Sequence, residues 1–451
     1  MVMIMRFQSF DEMIRYRVDR APSAPAFRVE RGGAAAGISY ADFYDAVLRR
    51  ARELRACGKT SLAVFCDGSY ECVTEIFAAV HAGLQVALLN DAAEEAQLRR
   101  VDADLLWGDD ELVAEFSAAL TGGVLDGKGR ILFFTSGTTA KNKAVALTEQ
   151  SLCASAYNGG ALLPLKESDV LMCMLPLDHV FGFVCGLLWG LSCGACVALG
   201  RGQRHYFDDL KFFRPTALSA VPMLLGFLWQ KQLLNPELEL ILIGAGDCPP
   251  QLPRALKADG RRVSFGYGLT ETSSGVALSL GDDPYAMTVC PDACVTVAED
   301  GELLIEDPPC MMQGYYKDPD ATAAVLKDGV LFTGDLGRFD EQGLLHITGR
   351  KKEMLVQPDG TKIFLPEYEQ SLRAALDGRD FAVVGDGGAP VLILSGREDE
   401  TETVRAALLP IMRELPLNRR LKAIRFINDP LPRTATGKIK RWELQQKAGL
   451  Q

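Results

Sequence analysis

The apolar run Ile131–Phe134 opens into Thr135, Ser136, Gly137, Thr138 and Thr139, with Lys141 and Lys143 close behind. Hydroxyls and backbone N–H groups can surround phosphate oxygens, a glycine lets the backbone approach them, and a lysine neutralises their charge. The segment therefore reads as a phosphate loop. It is not a Walker A loop, which needs a second glycine followed by Lys and Ser/Thr, whereas here Asn142 stands five positions after Gly137. A polar surface turn would explain four hydroxyls in five positions poorly. A second group follows the short run Val263–Phe265, where Tyr267, Gly268, Thr270 and Glu271 supply an aromatic ring, a close backbone, a hydroxyl and a carboxylate. The end of a strand is where open α/β sheets bind ligands.

These residues need elements to hold them. From residue 38 to 130, helical patterns alternate with short apolar runs: Tyr40–Cys57 helical, Ser61–Phe65 a strand, Cys72–Gly83 helical, Val86–Leu89 a strand. The alternation returns through Ala217–Pro222, Leu224–Gln232, Leu238–Ile243 and Val263–Phe265, as parallel sheets linked by helices require. After Cys290 short β-like runs dominate (Gly301–Ile305, Gly329–Thr333, Gly343–Thr348), broken by Asp, Gly and Pro turns. The charged stretch Gly349–Glu353 marks a boundary, and the last hundred or so residues alternate again. The fold class is α/β: a large N-terminal domain over residues 1–349, of mixed and parallel sheets with helices and a β-rich subdomain at about 290–349, then a small mobile α/β C-terminal domain over residues 350–451.

Composition excludes several classes. The 451 residues carry a formal charge of −11, a poor balance for a general nucleic-acid binder, and 48% hydrophobic residues are enough for a core in each domain. The twelve cysteines fall at irregular spacings, mostly in apolar runs, so they read as reduced small hydrophobes, and Cys193 and Cys196 lack the second pair a zinc site needs. Charges interrupt residues 1–20, which lack the continuous apolar stretch of a signal peptide, and the expectation is a cytoplasmic protein. Val180–Gly200 carries no charge over its length, but its five glycines and the turn Cys193–Cys196 favour a buried helix and strand over a membrane span.

The phosphate loop and six further segments, in order, resemble the signatures of the adenylate-forming (AMP-binding) superfamily of acyl-CoA synthetases, luciferases and peptide-synthetase adenylation domains. Besides the phosphate loop, Leu175–Phe183 resembles the substrate-pocket motif, with Asp178, His179, Phe181 and Phe183. Gly244, Ala245 and Gly246 resemble the adenine-edge loop, Tyr267–Glu271 the nucleotide and magnesium motif, Thr333–Asp335 the ribose motif, Gly349–Lys352 the hinge, and Pro432–Lys438 the catalytic-lysine loop. The resemblance implies that ATP, Mg²⁺ and coenzyme A are bound. Thr135, Ser136, Gly137, Thr138, Thr139 and Lys143 would hold phosphates, Tyr267 and Gly268 the adenine, Thr270 the α-phosphate, Glu271 the metal, Asp335 the ribose, and Arg350 the ribose or a phosphate. Lys438 would bridge the acyl carboxylate and the α-phosphate, and Lys352 would be the pivot of a rotating C-terminal domain.

The implied reaction activates a carboxylic acid as acyl-AMP and transfers it to the thiol of coenzyme A. The apolar run after His179 and the stretch Asp359–Phe364, which is similar to bacterial long-chain ligases, favour a medium- or long-chain fatty acid. Asp178 keeps an amino acid in play, and a phosphopantetheinyl carrier protein presents the same thiol as coenzyme A. Ala140, Asn142 and Ala144 replace the usual Gly, Pro and Gly, which admits a non-catalytic nucleotide-binding homologue, because alanine disfavours positive φ. The chain is also short for such an enzyme, which implies a trimmed N-terminal region.

Overall fold

A computed structural model describes residues 5–90, 95–117, 130–135, 143–246, 248–376, 378–433 and 439–450. The alternating segments become βα units because their strands can be buried on both faces: every residue of Ser61–Phe65, Gln85–Leu89, Val170–Cys173, Cys196–Leu199, Ala217–Ala220 and Leu240–Ile243 is buried. Local chemistry starts the helices. Ser39 and Ser69 accept hydrogen bonds from the third residue beyond them and cap Tyr40–Ala56 and Tyr70–Ala82, and Thr148 and Ser151 form a reciprocal box at the start of Glu149–Leu162.

Among the described residues, strands pair into two large sheets. One runs Gly314–Tyr315, Ala144–Thr148, Arg130–Phe134, Gln85–Leu89, Ser61–Phe65, Leu105–Trp107. The other places Val170–Cys173, Ala217–Ala220, Leu240–Ile243 and Arg262–Leu269 side by side in parallel, then continues antiparallel through Ser274–Ser279, Met287–Val289, Leu345–Arg350, Val330–Phe339, Glu302–Glu306 and Cys294–Val297. The antiparallel part therefore begins at Ser274, earlier than the change of texture after Cys290 suggests. Residues from Leu355 onward contribute two further apolar cores built on the sheet Phe381–Asp386, Ala389–Ser395 and Ala423–Ile427.

The seam between the two regimes is one strand. Arg262–Phe265 pairs in parallel with Leu240–Ile243, and Gly266–Leu269 of the same strand pairs antiparallel with Ser274–Leu278. The strand does not end with the apolar run at Phe265: it continues to Leu269, and a 3₁₀ turn follows at Thr270–Thr272. Only glycine fits at 268, since a Cβ there would overlap the Ser274 carbonyl oxygen. Ser273 and Ser274 take φ of 53° and 111°, so the reversal is tight.

The uncharged run Val180–Gly200 folds inside the molecule as a π-helix Gly182–Leu188, an α-helix Trp189–Cys193 and a strand Cys196–Leu199. Among the described residues no helix is long and apolar enough to cross a membrane. Cys193 and Cys196 are buried and burial pushes both thiols up, which suits packing rather than metal ligation.

Candidate active site

The phosphate-loop segment leaves one strand and returns on the next. Phe134 pairs with Ala144, so Thr135 and Lys143 face each other across the neck: the Thr135 N–H donates to the Lys143 carbonyl at 3.0 Å, and the Lys143 N–H to Thr135 Oγ1 at 3.3 Å. Ser136, Gly137, Thr138, Thr139, Ala140 and Asn142 lie outside the described residues. Ala144 sits in regular strand pairing and is not among the positive-φ residues, so the substitution at that position costs nothing in backbone strain.

Tyr315 joins two of the expected site residues. Its hydroxyl donates to Glu271 Oε1 at 2.7 Å, and Lys143 Nζ lies 4.2 Å from the centre of its ring. Burial and the adjacent Glu271 carboxylate push the phenol's titration well up, so it remains a neutral donor. The Glu271 backbone is fixed as well, its carbonyl accepting from the Met312 N–H at 2.8 Å. Tyr315 carried no signal in the sequence, because it lies 44 positions from Glu271 and meets Lys143 only through pairing of Gly314–Tyr315 with Ala144–Thr148.

A second cluster forms beside the same seam. Asp335, 1% exposed, accepts from the Tyr267 hydroxyl at 2.8 Å on Oδ2 and faces Arg350 Nε at 2.8 Å on Oδ1. Asp335 lies inside the long strand Val330–Phe339, in register with Arg350, after a bend at Gly334 with φ of 71°. Thr333 braces the bend, its Oγ1 accepting from the Asp335 N–H at 2.9 Å and donating to the Leu303 carbonyl at 2.8 Å. Burial, reinforced by the Asp335 carboxylate, raises the Tyr267 phenol far above its usual range. Arg350 also experiences the Glu271 carboxylate, which links the two clusters electrostatically.

Gly244, Ala245 and Gly246 follow the buried strand Leu240–Ile243, and Ala245 holds φ of 62°, a left-handed conformation that costs an alanine energy and is typical of functional loops. Phe181 backs onto this loop, and a Cβ on Gly244 would lie 2.9 Å from its ring. The remaining pocket-motif residues divide. His179 is partly buried at the start of the helical segment. Asp178, 5% exposed, accepts from Asn90 Nδ2 at 2.9 Å. Phe183 is fully buried, with ring centres 6.0 Å from Phe10 and 5.6 Å from Phe133, because the π-helix turns that face into the core.

At the expected hinge, Lys351–Glu353 is a 3₁₀ turn; Lys351 Nζ lies 2.5 Å from both Asp300 and Glu302, while Lys352 is exposed. Lys438 lies outside the described residues; Arg433 and Ile439, on either side of its loop, form a β-bridge. Glu271 and Thr270 offer hard oxygen donors, and one protein carboxylate completed by phosphate oxygens is an ordinary Mg²⁺ environment, so the residues present fit that ion.

The family of AMP-binding enzymes matches residues 130–316. Oxalate–CoA ligase of Arabidopsis thaliana is 28% identical over 78% of this chain and 75% of its own length. Long-chain-fatty-acid–CoA ligase of Bacillus subtilis is 30% identical over 70% of this chain and 61% of its own, so the chain spans less than two thirds of that relative. The fold is similar to that of O-succinylbenzoate coenzyme A synthetase from Bacillus subtilis, solved with ATP and magnesium, with a TM-score of 0.79 at 22% identity, covering 96% of this chain and 99% of that one.

Proposed function

The chain belongs to the adenylate-forming, AMP-binding enzymes and is acyl-CoA ligase-like, and from that premise we propose that it activates a carboxylic acid with ATP and passes the acyl group to the thiol of coenzyme A. A carboxylate oxygen attacks the α-phosphorus of ATP, the bond to the bridging oxygen breaks, and pyrophosphate leaves. The coenzyme A sulfur then attacks the acyl carbonyl, and AMP leaves. The obstacle in the first step is repulsion between two anions, and the remedy is positioned cations and donors.

The observation that carries this reading is the pair of linked clusters at one strand seam, Lys143–Tyr315–Glu271 and Tyr267–Asp335–Arg350. In this reading Lys143 meets phosphate oxygens, Asp335 accepts ribose hydroxyls, and Gly244–Gly246 border the adenine. Glu271 would hold Mg²⁺, which shields phosphate charge when bound. Lys438 supplies the cation for adenylation, and Lys352 the pivot between a body over residues 1–349 and a mobile unit over 350–451. Acid-dependent pyrophosphate release and hydroxamate trapping across fatty, aryl and amino acids test the proposal; silence across the whole panel, with ATP bound in calorimetry, would favour a non-catalytic nucleotide binder instead. A phosphopantetheinyl carrier protein is the alternative acceptor, resolved by mass spectrometry of the product.

A medium- or long-chain fatty acid is the finer reading of the sequence, supported by the apolar run after His179 and by likeness to the Bacillus ligase. The run itself is mostly core, with Phe183, Leu187, Leu188 and Leu191 fully buried, so it does not by itself describe a tail pocket.

A further inference from the structure

Glu302 opens the strand Glu302–Glu306, directly after the turn that joins it to Cys294–Val297, and is 7% exposed. A carboxylate this buried needs its charge met. Its two oxygens meet two different segments. Oε1 accepts the Gly334 N–H at 2.8 Å, and Oε2 lies 2.5 Å from Lys351 Nζ. Lys351 Nζ also lies 2.5 Å from Oδ2 of Asp300, in the turn itself.

The first contact belongs to the ribose motif. The ladder between Glu302–Glu306 and Val330–Phe339 shifts register between Glu302 and Leu304, and there the Glu302 side chain takes up the Gly334 N–H. Gly334 is the bend that precedes Asp335, so Glu302 braces it beside Thr333, whose hydroxyl is bonded to the Leu303 carbonyl. The second contact belongs to the hinge. Lys351 opens the 3₁₀ turn Lys351–Glu353, which the Met354 N–H closes on the Lys351 carbonyl, and the exposed Lys352 is the next residue. One carboxylate thus ties the bend that presents Asp335 to the segment proposed as the pivot.

Resting on the adenylation reading and its pivot at Lys352, we infer that Glu302 is a positioning residue that couples nucleotide binding to the hinge, so that a ribose bonded at Asp335 stiffens Lys351–Glu353. The chain of causes is short. Hydroxyls on Asp335 immobilise the bend, an immobile Gly334 N–H keeps Glu302 Oε1 in place, and the other oxygen then keeps Lys351 paired. A parallel path runs through the Arg350–Asp335 pair, so substitutions at Glu302 and Lys351, which leave that pair in place, isolate the carboxylate's own share. Coupling between two sites amounts to roughly 5–150-fold in a population, which sets the size of the expected effect.

The experiment is residue-resolved hydrogen exchange of the Met354 N–H in the full chain, with and without Mg²⁺ and ATP and with no acid present. In the wild type ATP is expected to slow this exchange by about tenfold. Glu302→Gln keeps an oxygen for the Gly334 N–H but loses the charge that holds Lys351, and Lys351→Met cuts the same link from the other end. Each should bring the ATP effect below about twofold while Kd for ATP stays within about threefold of wild type, and the double variant should add nothing further. Glu302→Ala also releases the bend, and should raise Kd for ATP by about tenfold. Melting temperatures confirm that each variant is folded, and the two conservative substitutions act independently of whether Glu302→Ala folds. An ATP effect that persists in both conservative variants, or that is missing from the wild type while calorimetry shows ATP bound, overturns the coupling and leaves adenylation intact. A wild type that binds no ATP would instead sink the nucleotide reading, and this inference with it.

Discussion

At the scale of single residues, Tyr315 separates two effects that usually travel together. Its ring is the surface beside Lys143, and its hydroxyl is the donor that orients Glu271. Tyr315→Phe removes the second and keeps the first. A hydrogen bond to a charged group is worth about 1.5–3 kcal/mol, so pyrophosphate release should need about tenfold more Mg²⁺ for half-saturation while KM for ATP changes less. A magnesium titration checks this, and an unchanged midpoint would remove Tyr315 from the metal side of the site. Asp335→Asn breaks the acceptor that Tyr267 and Arg350 share, and the expected outcome is a KM for ATP raised by about tenfold or more, with the melting temperature lowered because the Arg350 charge loses its partner. Asp335 and Glu271 are marked in the sequence only by the resemblance of their segments to the family's motifs; Tyr315 and Asn90 carry no such mark, because what makes them relevant is a contact between segments far apart in the chain.

At the scale of elements, the buried βα units were legible for a simple reason: a strand buried on both faces must be continuously apolar, so Ser61–Phe65 shows its full extent in the sequence. The antiparallel half was less legible. Thr333–Asp335 carries the Gly and Asp that favour turns, and it is a bend set into a long strand: Phe332 and Leu336 on either side pair with Leu304 and Glu302, the register shifts between them, and Asp335 pairs with Arg350. An apolar run does not say which face of a helix meets a cavity and which meets the core, and the Phe183 ring lies in the core. The link from the antiparallel strands to the site runs through Asp307–Met312, where the Cys310 carbonyl accepts from Ser273 Oγ at 2.7 Å and Met312 supports Glu271. Burial raises the Asp307 carboxyl in this link to about 6, with Asp292 and Cys310 near it and Arg6 paired to Asp292. A carboxyl whose folded pKa exceeds its unfolded value contributes stability that is full below the unfolded pKa and is lost as pH rises through the folded one. Asp307→Asn cannot titrate, so the variant should gain on the wild type between about pH 4 and about pH 7 by on the order of 1–3 kcal/mol. Urea unfolding at the two ends of that range tests it, and parallel curves would show that Asp307 is not the group responsible.

At the scale of the whole molecule, the two half-reactions make opposite demands on one set of surfaces. Adenylation needs a cation over the α-phosphate, whereas thiol transfer needs that space open for the pantetheine arm. In the proposed function one chain meets both if the unit carrying Lys438 swings, and Lys352 is the proposed place to swing. Residues beyond Leu355 have their own cores, Lys351 is anchored to Asp300 and Glu302 on the body side, and Lys352 is exposed at the next position. The rotation is therefore expected in the backbone of Lys352 and Glu353. Proline fixes φ near −65° and removes one of the few soft dihedrals available there. Lys352→Pro should leave pyrophosphate release within about threefold of wild type while slowing acyl transfer to coenzyme A by about tenfold or more. Lys438→Ala should do the reverse, losing most adenylation while a pre-formed acyl-AMP is still consumed by coenzyme A. Measuring each half-reaction separately in both variants distinguishes a rotating unit from a fixed one, because in a fixed geometry the two substitutions would depress both steps in proportion.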